Sequence, residues 1–237
     1  MSAVSEHSKM PENLKTLVFN GWAAGSEIWN ATTFDRDWIF SYIEQLDALP
    51  EKVIDDSSCV LLVGFSMGGA NALKMLLSRR EKICGAVLVS PSVRMMEERS
   101  DPERGESKGK RLWRGMSERR FAALKYGTES VYKNDPSPLY SKENLERGLE
   151  FLRNTDLRDE LFKFSSSQCA REIPIAIVSC ERDGIVSAEN VDFLKKIFPS
   201  ALSYSVPGNE HTLPVVAPEI IDMAVENVKK LISKERA

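Results

Sequence analysis

The stretch Cys59-Val60-Leu61-Leu62-Val63-Gly64-Phe65-Ser66-Met67-Gly68-Gly69-Ala70-Asn71-Ala72-Leu73 decides how the chain folds. Its first half is an apolar, β-branched run that breaks at Gly64-Phe65-Ser66-Met67-Gly68, and small, helix-compatible residues follow. The pattern predicts a buried strand, a tight turn with Ser66 at its apex, and a helix packed close behind. In that context Gly-x-Ser-x-Gly presents a nucleophilic serine. Such a serine is expected at positive φ, a strain that persists only where surrounding packing enforces it. Gly64 and Gly68 then have a reason, because a Cβ at either place would meet neighbouring backbone. The following helix would aim its first N–H groups at the serine, which suits a developing negative charge. Five residues with three fixed positions are a weak signal alone, and an idle serine in a glycine-rich turn is the plain alternative.

Composition bounds the rest. The 237 residues are 42% hydrophobic with a net charge of −3. That is room for one domain with a full core and an inserted subdomain, and no global attraction to nucleic acid or anionic lipid. Residues Met1–Met10 are polar, without the apolar segment of a secretory signal, and no apolar run reaches bilayer length. Cys59, Cys84, Cys169 and Cys180 are scattered without metal-type spacing. They read as reduced core residues of a cytoplasmic protein, with no metal site. Residues 1–9 read as a disordered tail.

Along the chain, Leu14–Phe19 is the first predicted strand, ending at Asn20-Gly21-Trp22. Trp38–Leu49 has helical spacing that Pro50 would stop, and Glu51–Ser58 reads as a polar connection. Gly69–Arg79 is a helix and Ile83–Ser90 a strand closed by Pro91. Ser92–Arg171 is rich in charge and helix formers without a clear strand. Ile173–Cys180 restores the strand pattern. The helix Ala188–Phe198 follows with Ser187 as N-cap, then the strand Ala201–Val206 and the helix Pro218–Lys234. Alternating strands and helices argue for a parallel sheet covered on both faces. The expected organisation is a core of residues 10–91 and 172–237 with a helical cap inserted at 92–171.

A serine nucleophile needs a base, and the base needs an orienting carboxylate. The chain has two histidines, His7 and His211. His7 falls in the expected tail. His211 follows the last strand in Pro207-Gly208-Asn209-Glu210-His211, at a strand end where sites of open α/β sheets form. For the carboxylate, Asp183 follows Ile173–Cys180 in Glu181-Arg182-Asp183-Gly184, with Glu181 as its competitor. Expected oxyanion donors are the backbone N–H of Met67, just after the nucleophile, and that of Trp22, in the loop after the first strand.

Asn20-Gly21-Trp22, Gly64-Phe65-Ser66-Met67-Gly68-Gly69, Asp183-Gly184-Ile185-Val186 and His211 together resemble the α/β-hydrolase superfamily. Within it, Gly21-Trp22 with Trp29 downstream, and Gly148-Leu149-Glu150-Phe151-Leu152-Arg153-Asn154-Thr155-Asp156-Leu157-Arg158, resemble the pimeloyl-[acyl-carrier-protein] methyl ester esterases of biotin synthesis. The resemblance implies an α/β-hydrolase fold with a reduced, mostly parallel sheet and a helical cap. It implies a serine carboxylesterase without cofactor, acting on short acyl methyl esters, with the cap recognising an acidic carrier protein. Two departures stand out. Asn20 occupies the place of a family histidine, so the loop is anchored differently. The segment between Trp22 and Ser66 is short and lacks Asp-x-x-Gly-x-Gly-x-Ser, so a strand and its loop read as shortened or lost.

Between Arg104 and Lys125 eight basic residues, Arg111, Arg114, Arg119 and Arg120 among them, face two acidic ones, Glu106 and Glu118. The run reads first as a solvated helix face and second as a surface steering an acidic partner. Trp113, Met116, Phe121 and Leu124 would pack the cap onto the sheet. The expected chemistry is ester hydrolysis through an acyl-enzyme. Thioester or lactone hydrolysis by the same groups, and a non-catalytic binding module on the same fold, are the alternatives.

Overall fold

The computed structural model describes residues 13–94, 141–167 and 172–235. Six strands form one parallel sheet: β1 (Leu14–Phe19), β2 (Trp38–Phe40), β3 (Cys59–Phe65), β4 (Ile83–Val89), β5 (Ile175–Cys180) and β6 (Leu202–Val206). Their order is β2-β1-β3-β4-β5-β6, every pair parallel. β3 and β4 lie mid-sheet and are buried at all their positions, which is why they read as unbroken apolar runs.

The side-chain alternation of each strand feeds two separate cores. Val60 and Leu62 of β3 join Leu17, Phe19, Leu88 and Ile177 on one face. Leu73 and Leu76 of helix α2 (Met67–Ser78) cover them there. Leu61, Val63 and Phe65 join Val18, Val87 and Val178 on the other. There the long C-terminal helix, Pro218–Glu235, lays down Ile221, Ala224, Val225, Val228 and Ile232, a helical-period stripe. Each fully buried Val or Ile of that stripe contributes about 1.5–3 kcal/mol of hydrophobic transfer.

Between β1 and β3 the structure corrects the sequence reading. Trp38–Phe40 is a strand at the sheet edge rather than the start of a helix. A 3₁₀ turn covers Glu44–Leu46, and Pro50 opens the helix α1 (Leu49–Asp55) at its first turn instead of ending one. Proline costs nothing there, since a first-turn N–H has no intrahelical acceptor. Of the apolar residues along this stretch Phe40 and Tyr42 are buried and Trp38 is exposed, on a strand and turns that periodicity alone cannot tell from a helix. The strand that reads as shortened or lost is thus present, three residues long.

The cysteines need a second correction. Cys59 and Cys84 do not sit apart as reduced thiols; they pair across β3 and β4, with Cα atoms 5.7 Å apart. The register shifts between Val60 and Leu61, so Cys84 falls at the irregularity and shares the face of Cys59. Cys180 is a buried free thiol. Cys169 and His7 lie outside the described residues, as does the stretch holding Arg111, Arg114, Arg119 and Arg120.

Within the expected cap, helices α3 (Lys142–Asn154) and α4 (Arg158–Ser165) are described. Ser141 caps α3 by accepting the Asn144 N–H. After β5 come α5 (Ala188–Ile197), β6, the short α6 (Leu213–Val216) and the C-terminal helix, α7. No helix among the described residues is long and apolar enough to cross a membrane.

Candidate active site

Ser66 follows β3 and precedes α2 with φ 54° and ψ −114°, the positive-φ conformation its motif predicts. Its neighbours enforce this. A Cβ on Gly64 would come within 2.5 Å of the Gly68 carbonyl oxygen, and one on Gly68 would collide with the carbonyls of Phe19 and Asn20. The elbow is therefore wedged between α2 and the end of β1, and strain at Ser66 is held by that packing. The Ser66 carbonyl accepts the N–H of Gly69 at 2.9 Å and so starts the helix.

His211 lies in the loop after β6, and Asp183 in the turn after β5. The two loops are laced together by backbone: Arg182 N–H donates to the Gly208 carbonyl at 3.1 Å, and Glu181 N–H to that of Val206 at 3.0 Å. His211 Nδ1 is 2.8 Å from Asp183 Oδ2, and Nε2 is 3.0 Å from Ser66 Oγ. A carboxylate only accepts, so Nδ1 carries the proton and Nε2 is free to accept from the serine hydroxyl. Of the two candidate carboxylates, Asp183 reaches the imidazole, while Glu181 is exposed.

Asp183 is held in place independently of His211. Its Oδ1 accepts the N–H groups of Ile185 at 2.8 Å and Val186 at 3.0 Å. Burial alone would push its carboxyl up. The His211 hydrogen bond and charge, with the Val186 and Ile185 amides, outweigh that and hold it below the ordinary carboxylate value. The acid therefore stays charged at neutral pH and fixes the ring's orientation.

Phe65 contributes without being singled out by the motif reading. Its ring centroid is 5.1 Å from that of His211, and the ring meets Trp29 edge-on at 6.5 Å. A Cβ on Gly21 would stand 2.8 Å from the Phe65 ring and 3.3 Å from Ser66 Cβ. The loop carrying Trp22 thus lies directly on the elbow. That loop turns tightly, with Ala24 N–H donating to the Gly21 carbonyl at 3.1 Å and Ala23 at φ 57°. Met67 opens α2, where first-turn amides have no acceptor within the helix. Asn20 anchors the loop by accepting the indole N–H of Trp29.

A buried polar brace lies behind this. Gln45 donates to the carbonyls of Asn20 at 2.9 Å and Phe40 at 3.1 Å, and accepts from Asn71 of α2 at 2.9 Å. Gln45 sits beside Glu44 between Ile43 and Leu46, and nothing in that spacing sets it apart from a surface polar residue. On the outer side Met67, Ala23, Tyr42 and Leu152 form a small core with Trp22 and Leu145 packed against it. Helix α3 is thereby seated over the Trp22 loop.

A serine at a strand–turn–helix elbow, on a parallel sheet and in line with a histidine and a buried aspartate, defines a serine hydrolase of the α/β-hydrolase fold. The model of the hydrolase family described as serine aminopeptidase, S33, matches residues 36–205, and the chain belongs to that family. The pimeloyl-[acyl-carrier protein] methyl ester esterase of Photorhabdus laumondii is 22% identical over 218 residues, 79% of this chain and 81% of that protein. Among solved structures, a thermophilic esterase superposes with a TM-score of 0.62 at 17% identity, covering 92% of this chain and 90% of that one. Est816, described as an N-acyl homoserine lactone degrading enzyme, gives 0.64 at 15% identity, covering 90% and 92%. These two likenesses are of fold.

Proposed function

We propose that the protein is a carboxylic-ester hydrolase working through an acyl-enzyme on Ser66. Ser66 Oγ attacks the ester carbonyl while its proton passes to His211 Nε2. Asp183 keeps the imidazole in the competent tautomer and stabilises imidazolium without taking the proton. The tetrahedral oxyanion is met by the N–H groups of Met67 and Trp22. Collapse breaks the bond to the alcohol, which leaves with the proton from His211. Water, deprotonated by His211, then attacks the acyl-enzyme and releases the acid and Ser66. The observation carrying this reading is the line from Ser66 Oγ through both imidazole nitrogens to Asp183, at 3.0 and 2.8 Å. Labelling by a fluorophosphonate probe tests it: stoichiometric modification at Ser66 is expected, and no labelling would favour a non-catalytic module.

The substrate we assign is the methyl ester of a short acyl chain carried on an acidic carrier protein, such as pimeloyl-[acyl-carrier protein] methyl ester. The 22% identical relative and the basic run containing Arg111, Arg114, Arg119 and Arg120 support this. In this reading residues 92–171 are a cap over a core of 10–91 and 172–237, and the arginines dock the carrier. Arg119→Glu/Arg120→Glu should lose carrier-linked hydrolysis while keeping free-ester hydrolysis. Equal loss on both substrates would refute the docking role. Thioesters and lactones suit the same groups, and a profile over acyl chain length and leaving group ranks them.

A further inference from the structure

Helix α3 meets the Trp22 loop in two ways. The indole Nε1 of Trp22 donates to the Leu145 carbonyl at 3.0 Å. Three residues on, on the same helix face, Gly148 has no room for a side chain. A Cβ there would collide with Cδ1 of that indole, stand 2.9 Å from Nε1, and lie 3.1 Å from Tyr42 Cδ2. Tyr42 is fully buried, so it is a fixed wall on the far side. The indole is therefore gripped by a hydrogen bond, a close helix approach and an immovable ring. At its other end the same loop rests through Gly21 on the Phe65 ring and Ser66.

We infer that Gly148 is a positioning residue for the oxyanion side of the site. Its missing side chain lets α3 close on the Trp22 indole, and the closed helix fixes the turn Gly21–Ala24 that carries the Trp22 N–H. Seating of the cap helix and stabilisation of the tetrahedral intermediate are thus one event. An acyl chain or partner that presses α3 down favours the chemical step as well as binding. This inference rests on Trp22 being an oxyanion donor. It also gives a physical reason for a glycine inside a helix, where alanine is the better former.

Steady-state kinetics on a p-nitrophenyl ester tests it. Gly148→Ala should lower kcat by about tenfold and move KM by less than about threefold, since a displaced donor weakens transition-state binding and leaves the ground state alone. Trp22→Ala, which keeps the backbone N–H and loses the whole indole, should lower kcat similarly. In the Trp22→Ala background, Gly148→Ala should add little, because the ring atoms it would displace are gone. Glu150→Ala, on the exposed face of α3, should leave kcat unchanged. Wild-type kcat in either single variant, or fully additive losses in the double variant, would overturn the inference. Hydrolysis surviving in Ser66→Ala would overturn the enzymatic reading itself. An inactive Ser66→Ala beside a fully active Gly148→Ala would sink the role of Gly148 alone.

Discussion

The Nε2 atom of His211 lies 3.0 Å from Oγ of Ser66, across a sequence separation of 145 residues. Parallel strands of one sheet, ending at the same rim, produce this meeting. β3 delivers Ser66 at mid-sheet, while β5 and the edge strand β6 end at the same rim and deliver Asp183 and His211. The Phe65 ring, next to Ser66 in the chain, then stands against the imidazole.

Replacing Ser66 with alanine should reduce turnover of a short p-nitrophenyl ester by on the order of 10⁴-fold or more. Its side chain makes no helix-capping hydrogen bond, and alanine accepts the positive φ no worse than serine. Circular dichroism and the melting midpoint should therefore stay within a few degrees of wild type.

Phe65→Leu keeps an apolar side chain and removes the ring face under His211. We expect kcat/KM to fall by about tenfold, equivalent to about 1.4 kcal/mol of lost positioning. Phe65→Tyr should recover most of the loss if ring contact is what counts. Equal activity in Phe65→Leu and wild type would show that the imidazole is held without it.

The folded state lowers the Asp183 pKa below its ordinary value of 3.8. A depressed carboxylate contributes stability above its unfolded pKa and loses it as pH falls through the folded one. The stability gap between wild type and Asp183→Asn should therefore be larger at pH 5 than at pH 3. Urea unfolding at both pH values measures it, and a gap widening toward acid contradicts the assignment.

Gln45→Leu would strip the Asn20 and Phe40 carbonyls of their side-chain donor and leave the Asn71 amide without its acceptor. With buried polar groups unpaired, unfolding free energy should drop by about 2–4 kcal/mol. Chemical denaturation reads this directly, and a change below about 0.5 kcal/mol would mean that water replaces the glutamine.

Local patterns along the chain made the elbow and the parallel sheet legible and singled out Ser66 and His211, which the fold brings within 3.0 Å of each other. An apolar run broken by Gly-x-Ser-x-Gly is a local signal, and of two histidines in the chain only His211 follows a strand. The chain favoured Asp183 with Glu181 as the fallback, the two lying two residues apart in one turn; the lacing of that turn to the His211 loop is what aims Asp183 at the ring. The edge strand Trp38–Phe40 was masked by apolar spacing that fits a helix, and pairing with β1 overrode that local preference. Gln45 reaches Asn20 and Asn71, 25 and 26 positions away, while Phe65 meets His211 and Gly148 meets Trp22 across still longer separations, and spacing along a chain carries no record of such contacts. Local chemistry is written residue by residue, whereas the aim of each side chain is set by what the packed sheet and helices leave room for.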